Sequence, residues 1–424
     1  MKTQKSPALL ALILGISIAV PSVAEDLGTF EISKASTANP YQVALVPFTG
    51  DKVVSGVINN NLNHTELKTT TQNLPQALSS VADFSANRLV WQQAGFPYVV
   101  IGSVQDIGNG KAMVGYDVIE VATGRVINGH QSQLADNTAN GLRHAGHVIS
   151  DRIYELITGE MGDFSGRIAY VEETGDPRNK TSTLKVMDAD GQNVRSLFTM
   201  QGSIFSPTWS KDGRNLAYAT QQPNGLPVIY IQDAETGAKR LVTPFKGNNL
   251  GPSFSPDGST LLFSGSHENN DPAIYELHLA SGRARKLTQM PGAENSPSFA
   301  PDGRSFVFTA DMGSRTPQLY RYDMATGRSS RIASGMASNP KMSADGQKTA
   351  YVAGNTLMVM NTGGGVQSIA STSIHESATF SPNSTRIVYA TPQGIVFKNL
   401  KTGDSFTKDS SGRVREPAWS ANRP

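Results

Sequence analysis

The chain of 424 residues is 17% charged and 38% hydrophobic, with 40 Gly and 23 Pro; this is the make-up of a turn-rich β protein long enough for two domains. A formal net charge of +2 gives no reason to expect nucleic acid or an acidic membrane surface as the main partner. The absence of cysteine excludes disulfides, thiol catalysis and thiolate metal sites.

The first residues read as an export signal. Lys2 and Lys5 form a basic start, residues 8–20 an apolar run too short to span a bilayer, and Ser22-Val23-Ala24 a small-x-small cleavage site after Pro21. Residues 1–24 are thus expected to be removed after Ala24. The mature chain would start at Glu25 in the periplasm, soluble and without a lipid anchor.

Residues 25–160 carry no repeat and read as a mixed α/β domain. Val43-Ala-Leu-Val-Pro-Phe and Tyr98-Val-Val-Ile-Gly-Ser-Val are apolar enough for buried strands. Residues 51–61 and 75–94 read as helices, the second with Phe84, Leu89, Val90 and Trp91 near helical spacing. Gly108-Asn-Gly is a hairpin turn into a strand over 112–121. Residues 138–157 read as a further helix with a Thr or Asn at its start and Gly159 as its stop. A short hinge, 159–166, leads onward.

From residue 161 the chain repeats itself. Pro207-Thr-Trp-Ser-Lys-Asp-Gly returns as Pro252-Ser-Phe-Ser-Pro-Asp-Gly, Pro297-Ser-Phe-Ala-Pro-Asp-Gly, Pro340-Lys-Met-Ser-Ala-Asp-Gly, Ala378-Thr-Phe-Ser-Pro-Asn-Ser and a truncated Pro417-Ala-Trp-Ser. The intervals are 45, 45, 43, 38 and 39 residues, the length of a propeller blade. A second phrase keeps step: an alternating strand such as Val228-Ile-Tyr-Ile, then a turn closing at Gly191, Gly237, Gly282, Gly327, Gly364 or Gly403. Five copies are complete. The sixth is split between Arg167-Ile-Ala-Tyr-Val and the C-terminal Pro417-Ala-Trp-Ser, which should pair and close the ring. The expectation is a two-domain chain: an N-terminal α/β domain followed by an all-β, six-bladed β-propeller over 161–424. Tyr170, Tyr218, Phe263, Phe308 and Tyr389 recur once per blade and should pack between blades.

The wording of the chain resembles the TolB family. The resemblance is carried by Leu142-Arg143, His147, Asp151, Ile153-Tyr154-Glu155, Thr158-Gly159, Phe164 and Arg167-Ile-Ala-Tyr-Val, together with the two early strands and the repeats. It implies a component of the Tol-Pal system, which links the inner membrane, the peptidoglycan and the outer membrane. The propeller would bind Pal, the peptidoglycan-associated lipoprotein, and the mature N-terminal segment would bind TolA. Envelope integrity and outer-membrane constriction in cell division would follow, and bacteriocins or other outer-membrane lipoproteins could use the same mouth. The mature start, Glu25-Asp-Leu-Gly-Thr-Phe-Glu-Ile-Ser-Lys, keeps an apolar and acidic character but not the family's wording there.

The loops before each first strand define the candidate mouth: Phe205, Asn248, Asn249, Leu250, Glu294, Asn295, Asn339, His375, Glu376, Arg415 and Glu416. The family's Pal contacts would fall on 248–251 and Asn295, and its TolA contacts on Glu25, Asp26, Leu27, Phe30 and Ile32. Arg143, His147, Asp151 and Tyr154 would hold the domain interface. His144 and His147 have helical metal spacing but no third ligand near them in sequence, and Asp188-x-Asp190-Gly191 reads as a β-turn rather than a calcium loop. No Gly-x-Ser-x-Gly, Walker or His-Glu-x-x-His motif occurs, so no enzyme, cofactor or metal is expected. The alternative is a propeller that binds or hydrolyses a small molecule or glycan in its channel. A monomer touching the membrane only through its partners is expected.

Overall fold

The structure, a computed structural model, describes residues 41–176, 178–222, 225–268, 271–370 and 376–423. The expected signal peptide, the mature start with Glu25, Asp26, Leu27, Phe30 and Ile32, and His375 lie outside the described residues.

The N-terminal region is built on one sheet, with β1 (Gln42–Leu45) parallel to both β2 (Lys68–Thr70) and β3 (Tyr98–Gly108). β4 (Lys111–Glu120) returns antiparallel to β3, and β5 (Arg125–Val126) and β6 (Gln131–Asp136) both pair with β4. The tight β3–β4 turn has Gly108, Asn109 and Gly110 all at positive φ, the backbone expected of that Gly-Asn-Gly. Strand alternation sorts the core into two layers. Val43 and Leu45 face α1 (Val54–Asn63) and the long α4 (Ala139–Thr158), while Ala44 and Val46 face Phe84 of α2 (Val81–Ala86) and Trp91 of α3 (Arg88–Gln93).

The helix ends follow their caps. Asp51 accepts the amides of Val53, Val54 and Ser55 at 2.7, 2.8 and 2.6 Å, so α1 starts three residues later than its apolar pattern suggested. Thr138 accepts from Gly141 and Gly159 sits at φ 76°, bounding α4 as expected. The single helix expected over 75–94 is two short ones. Ser80 caps the first, and Asn87, at φ −119°, leaves helical geometry and ends it by donating its side chain to the Asp83 carbonyl.

The rest is a propeller of six four-stranded antiparallel sheets. Blade two is typical, with strands Ser203–Trp209, Asn215–Gln221, Val228–Asp233 and Lys239–Leu241 in spatial order. Blade one joins both ends of the repeat: Arg413–Trp419 pairs with Arg167–Thr174, with Trp419 opposite Ile168. That pairing completes the sixth blade and closes the ring. The Ser-Pro-Asp-Gly turn is held by its own side chains: Ser255 donates to Asp257 at 2.6 Å, Ser259 N–H donates to the same oxygen at 3.0 Å, and Gly258 takes φ 71°. Tyr170, Tyr218, Phe263, Phe308 and Tyr389 are all buried. Tyr351, which the sequence reading did not pick out, fills the sixth equivalent place.

Candidate functional site

Each first strand lies innermost and enters the ring at the mouth. In five blades the residue before the strand proline (Pro207, Pro252, Pro297, Pro340 and Pro417) is left-handed: Ser206, Gly251, Ser296, Asn339 and Glu416, with φ between 47° and 61°. The ladder to the second strand breaks at the same point in each of those blades. Proline removes a ladder donor, and the left-handed residue turns the chain inward, so a circle of bulges surrounds the mouth.

One side of the mouth is a charge network. Arg415 Nε donates to Glu376 Oε1 at 2.6 Å and its Nη1 to Glu173 Oε1 at 2.8 Å, while its Nη2 lies 3.8 Å from Glu416. Lys180 Nζ reaches Glu173 at 2.5 Å, and the exposed Arg413 lies 3.3 Å from Glu376. Burial alone would weaken the Arg415 guanidinium, but the carboxylates of Glu376, Glu416 and Glu173 make it hold its proton more firmly than usual. Burial likewise works to raise Glu173, and Lys180 and Arg415 outweigh it, keeping that carboxyl below its ordinary range. Glu416 goes the other way: burial lifts it above the usual carboxylate value despite Arg415 and the Ser206 amide. Phe205 lies under Arg415, its ring 5.6 Å from the guanidinium carbon.

The other sequence-chosen mouth residues divide. Asn248 is exposed, Leu250 is half-buried on the core of blades two and three, and Asn295 accepts from Ser264 at 3.0 Å. Asn339 accepts from Ser296 at 3.2 Å, tying blade five to blade four. Two residues chosen as partner contacts are wholly buried and turn inward. Asn249 donates to the carbonyls of Pro227, Phe245 and Gly247 at 3.3, 3.2 and 3.1 Å. Glu294 accepts the Thr288 hydroxyl and, at 2.6 Å, the Met290 amide, and burial raises its pKa. These two side chains shape loops and offer nothing to a partner across the mouth. Glu173 and Arg413 were missed because neither falls in the short stretches just ahead of the repeated phrase; they face each other across the closing pair of strands, a juxtaposition only the fold creates.

The opposite face meets the N-terminal region. Arg143 Nε donates to Asp188 at 3.1 Å and its Nη2 to Asp190 at 2.5 Å. His147 stands between them, Nε2 3.6 Å from Asp188 and Nδ1 2.9 Å from the Asn61 amide nitrogen. Sequence spacing offered His147 no third ligand. The fold supplies two carboxylates from the propeller, with ligand atoms of His147, Asp188 and Asp190 within 4.8 Å of one another. Arg143 already supplies the positive charge that a metal would bring there. The 188–191 segment is a turn as expected, with Gly191 N–H on the Asp188 carbonyl at 3.0 Å.

The linker is pinned rather than loose. Asp151 accepts the amides of Phe164 and Ser165 at 2.7 and 3.1 Å, and burial raises its carboxyl to about 6. Asp163 pairs with Arg386 of blade six, both buried, and Tyr154 meets Phe164 edge-on while donating to Glu66 at 2.7 Å. Lys401 adds ion pairs to Glu160 and Glu66.

These features define a class: a six-bladed propeller carrying an α/β region on the face opposite the mouth. Residues 154–423 match the family model described as the TolB beta propeller domain. The solved TolB of Acinetobacter baumannii is similar, with a TM-score of 0.78 at 32% identity over 90% of this chain and 96% of that one. Relatives named Tol-Pal system protein TolB include one from Acinetobacter baylyi, 34% identical over 236 residues, and one from Marinomonas sp., 38% identical over 147. The first match spans 55% of this chain and 54% of the relative, the second 35% and 33%, so the chain matches about half or less of these curated relatives' length. The chain belongs to the TolB family.

Proposed function

We propose that the chain is a periplasmic docking component of a Tol-Pal envelope complex and not an enzyme. In this reading the mouth binds the soluble domain of Pal, the segment from Glu25 to Ile32 binds TolA, and the outcome is support of envelope integrity and constriction at division. The observation that carries it is a preorganised mouth (the Arg415, Glu376 and Glu173 network beside Phe205) on a chain that aligns over nearly all of its length with a solved TolB. Polar side chains already fixed by one another lose little freedom when a partner covers them. A hydrolytic channel would need free acids at the mouth. Glu294 is buried in its own loop, and Glu376 and Glu416 share Arg415.

The test is calorimetric titration of the mature chain with the soluble domain of the same organism's Pal. One-to-one binding is expected, weakened roughly tenfold or more by Phe205→Ala combined with Arg413→Glu at unchanged thermal stability. Absence of binding to folded Pal removes the reading. Deleting residues 25–36 is expected to abolish TolA binding; an unchanged Pal affinity in that variant would mean the two partners are not coupled.

A further inference from the structure

The inner strands place equivalent residues in rings around the channel, and one ring departs from its own pattern. The position after the strand proline, or after Ala378 in blade six, is Thr208, Ser253, Ser298, Lys341, Thr379 and Ala418. Three of the hydroxyls stitch neighbouring blades together. Ser253 accepts the Phe299 amide at 3.1 Å, Ser298 the Met342 amide at 3.2 Å, and Thr379 the Trp419 amide at 3.2 Å. Each hydroxyl accepts with its oxygen and keeps its proton to donate. Lys341 cannot accept, so blade five lacks that stitch. It puts a cation where the other blades have a hydroxyl or a methyl.

That cation has no ion-pair partner among the described residues; Glu416 acts on it only at longer range. Glu416 is in any case engaged by the Ser206 amide and lies beside Arg415. Lys341 is partly buried with no counter-charge beside it, which is unfavourable for an ammonium, and burial lowers its pKa. The packing of the blades does not require a lysine here.

Lys341 and the ring hydroxyls line a chamber of about 560 Å³ at the end of the channel away from the mouth. The next ring is apolar: Trp209, Phe254, Phe299, Met342, Phe380 and Trp419. A few convergent polar groups above an apolar wall, in a space of this size, make a small-molecule site. We propose that this chamber binds a small amphipathic carboxylate, its head group on Lys341 and the hydroxyl protons of Ser253 and Ser298, its apolar body against the aromatic ring. One negative charge fits better than two. The ring holds a single cation, and Glu416 lies on the mouthward side of it and repels a dianion. The site stands on the face opposite the proposed Pal surface and does not depend on that reading.

The carboxylate can come from a free acid or from the end of a peptide chain, and the experiment separates them. The mature chain is titrated calorimetrically with decanoate, with decanol, and with a short apolar peptide ending in a free carboxylate or in an amide. Decanoate is expected to bind one-to-one and decanol at least roughly tenfold more weakly, since the charged hydrogen bond is lost. Lys341→Met should abolish that preference while unfolding at no lower temperature, and Ser298→Ala should weaken decanoate less. If the acid-ended peptide binds and its amide and decanoate do not, the site stands and its ligand is a chain terminus. Equal binding of decanoate to the wild type and K341M, or no binding by any carboxylate, overturns the proposal. Should K341M fail to fold, equal binding of decanoate and decanol to the wild type overturns it instead.

Discussion

The attachment of the N-terminal region to the propeller rests heavily on one ion pair, and its strength can be worked from the structure. Asp163 and Arg386 are 2% and 4% exposed in their side chains. Arg386 Nε donates to Oδ2 at 2.8 Å, its Nη2 donates to Oδ1, and the guanidinium lies 5.1 Å from the Phe164 ring and 4.9 Å from the Trp419 ring. Removing one member of such a pair leaves the other charge buried and uncompensated, at about 3–5 kcal/mol. Asp163→Asn keeps the volume and one acceptor, so its cost belongs near the lower end, about 3 kcal/mol. Arg386→Met loses the pair and both ring contacts, about 4 kcal/mol. The double variant leaves no buried charge at all. It should cost about 4 kcal/mol rather than the sum, giving a coupling of about 3 kcal/mol. Urea unfolding followed by tryptophan fluorescence reports on both regions, since Trp91 lies in the N-terminal region and Trp209 and Trp419 in the propeller. A D163N cost below about 1 kcal/mol, or two costs that simply add, would refute the argument that this pair holds the linker.

Asp151 carries a pH signature. Its folded pKa of about 6 lies above the ordinary 3.8, so the protonated form is favoured in the native state and stability from this group falls as pH rises from about 4 to 6. The stability difference between wild type and Asp151→Asn should therefore shift against the wild type by about 2–3 kcal/mol across that window; a flat difference in urea unfolding from pH 4 to 7 counts against it. Asn249→Ala strips the donors from three loop carbonyls and should destabilise by about 3 kcal/mol, visible as a lower urea midpoint even before any partner is added. Trp419→Ala removes a buried closing residue that meets Phe397 edge-on and covers Arg386; a loss of about 3–5 kcal/mol is expected by the same assay.

What the sequence made legible was whatever its local chemistry states more than once. The Ser-Pro-Asp-Gly turn announces itself because Ser255 and Asp257 satisfy their own backbone, and its return at blade length implies stacked sheets. Thr138 and Gly159 bound α4 for the same local reason. Asn249 and Glu294 misled because a polar residue ahead of a strand looks alike whether it serves solvent or its own loop. Only loop closure, which brings three carbonyls around one amide, decides between them. The meeting of His147 with Asp188 and Asp190 was hidden in another way: the turn was read correctly from its backbone, and nothing local says where its carboxylates point. Glu416 shows how the remainder can be recognised. At the left-handed bulge the other blades place Ser206, Gly251, Ser296 and Asn339, all small or turn-forming, whereas a glutamate at φ 47° is strained. The strain persists because the carboxylate holds the Ser206 amide of the neighbouring blade and lies beside Arg415. In a repeat protein the shared residues specify the ring. A residue that breaks the repeat at an energetic disadvantage, as Glu416 does in its backbone and Lys341 in its charge, marks where the ring does something besides close.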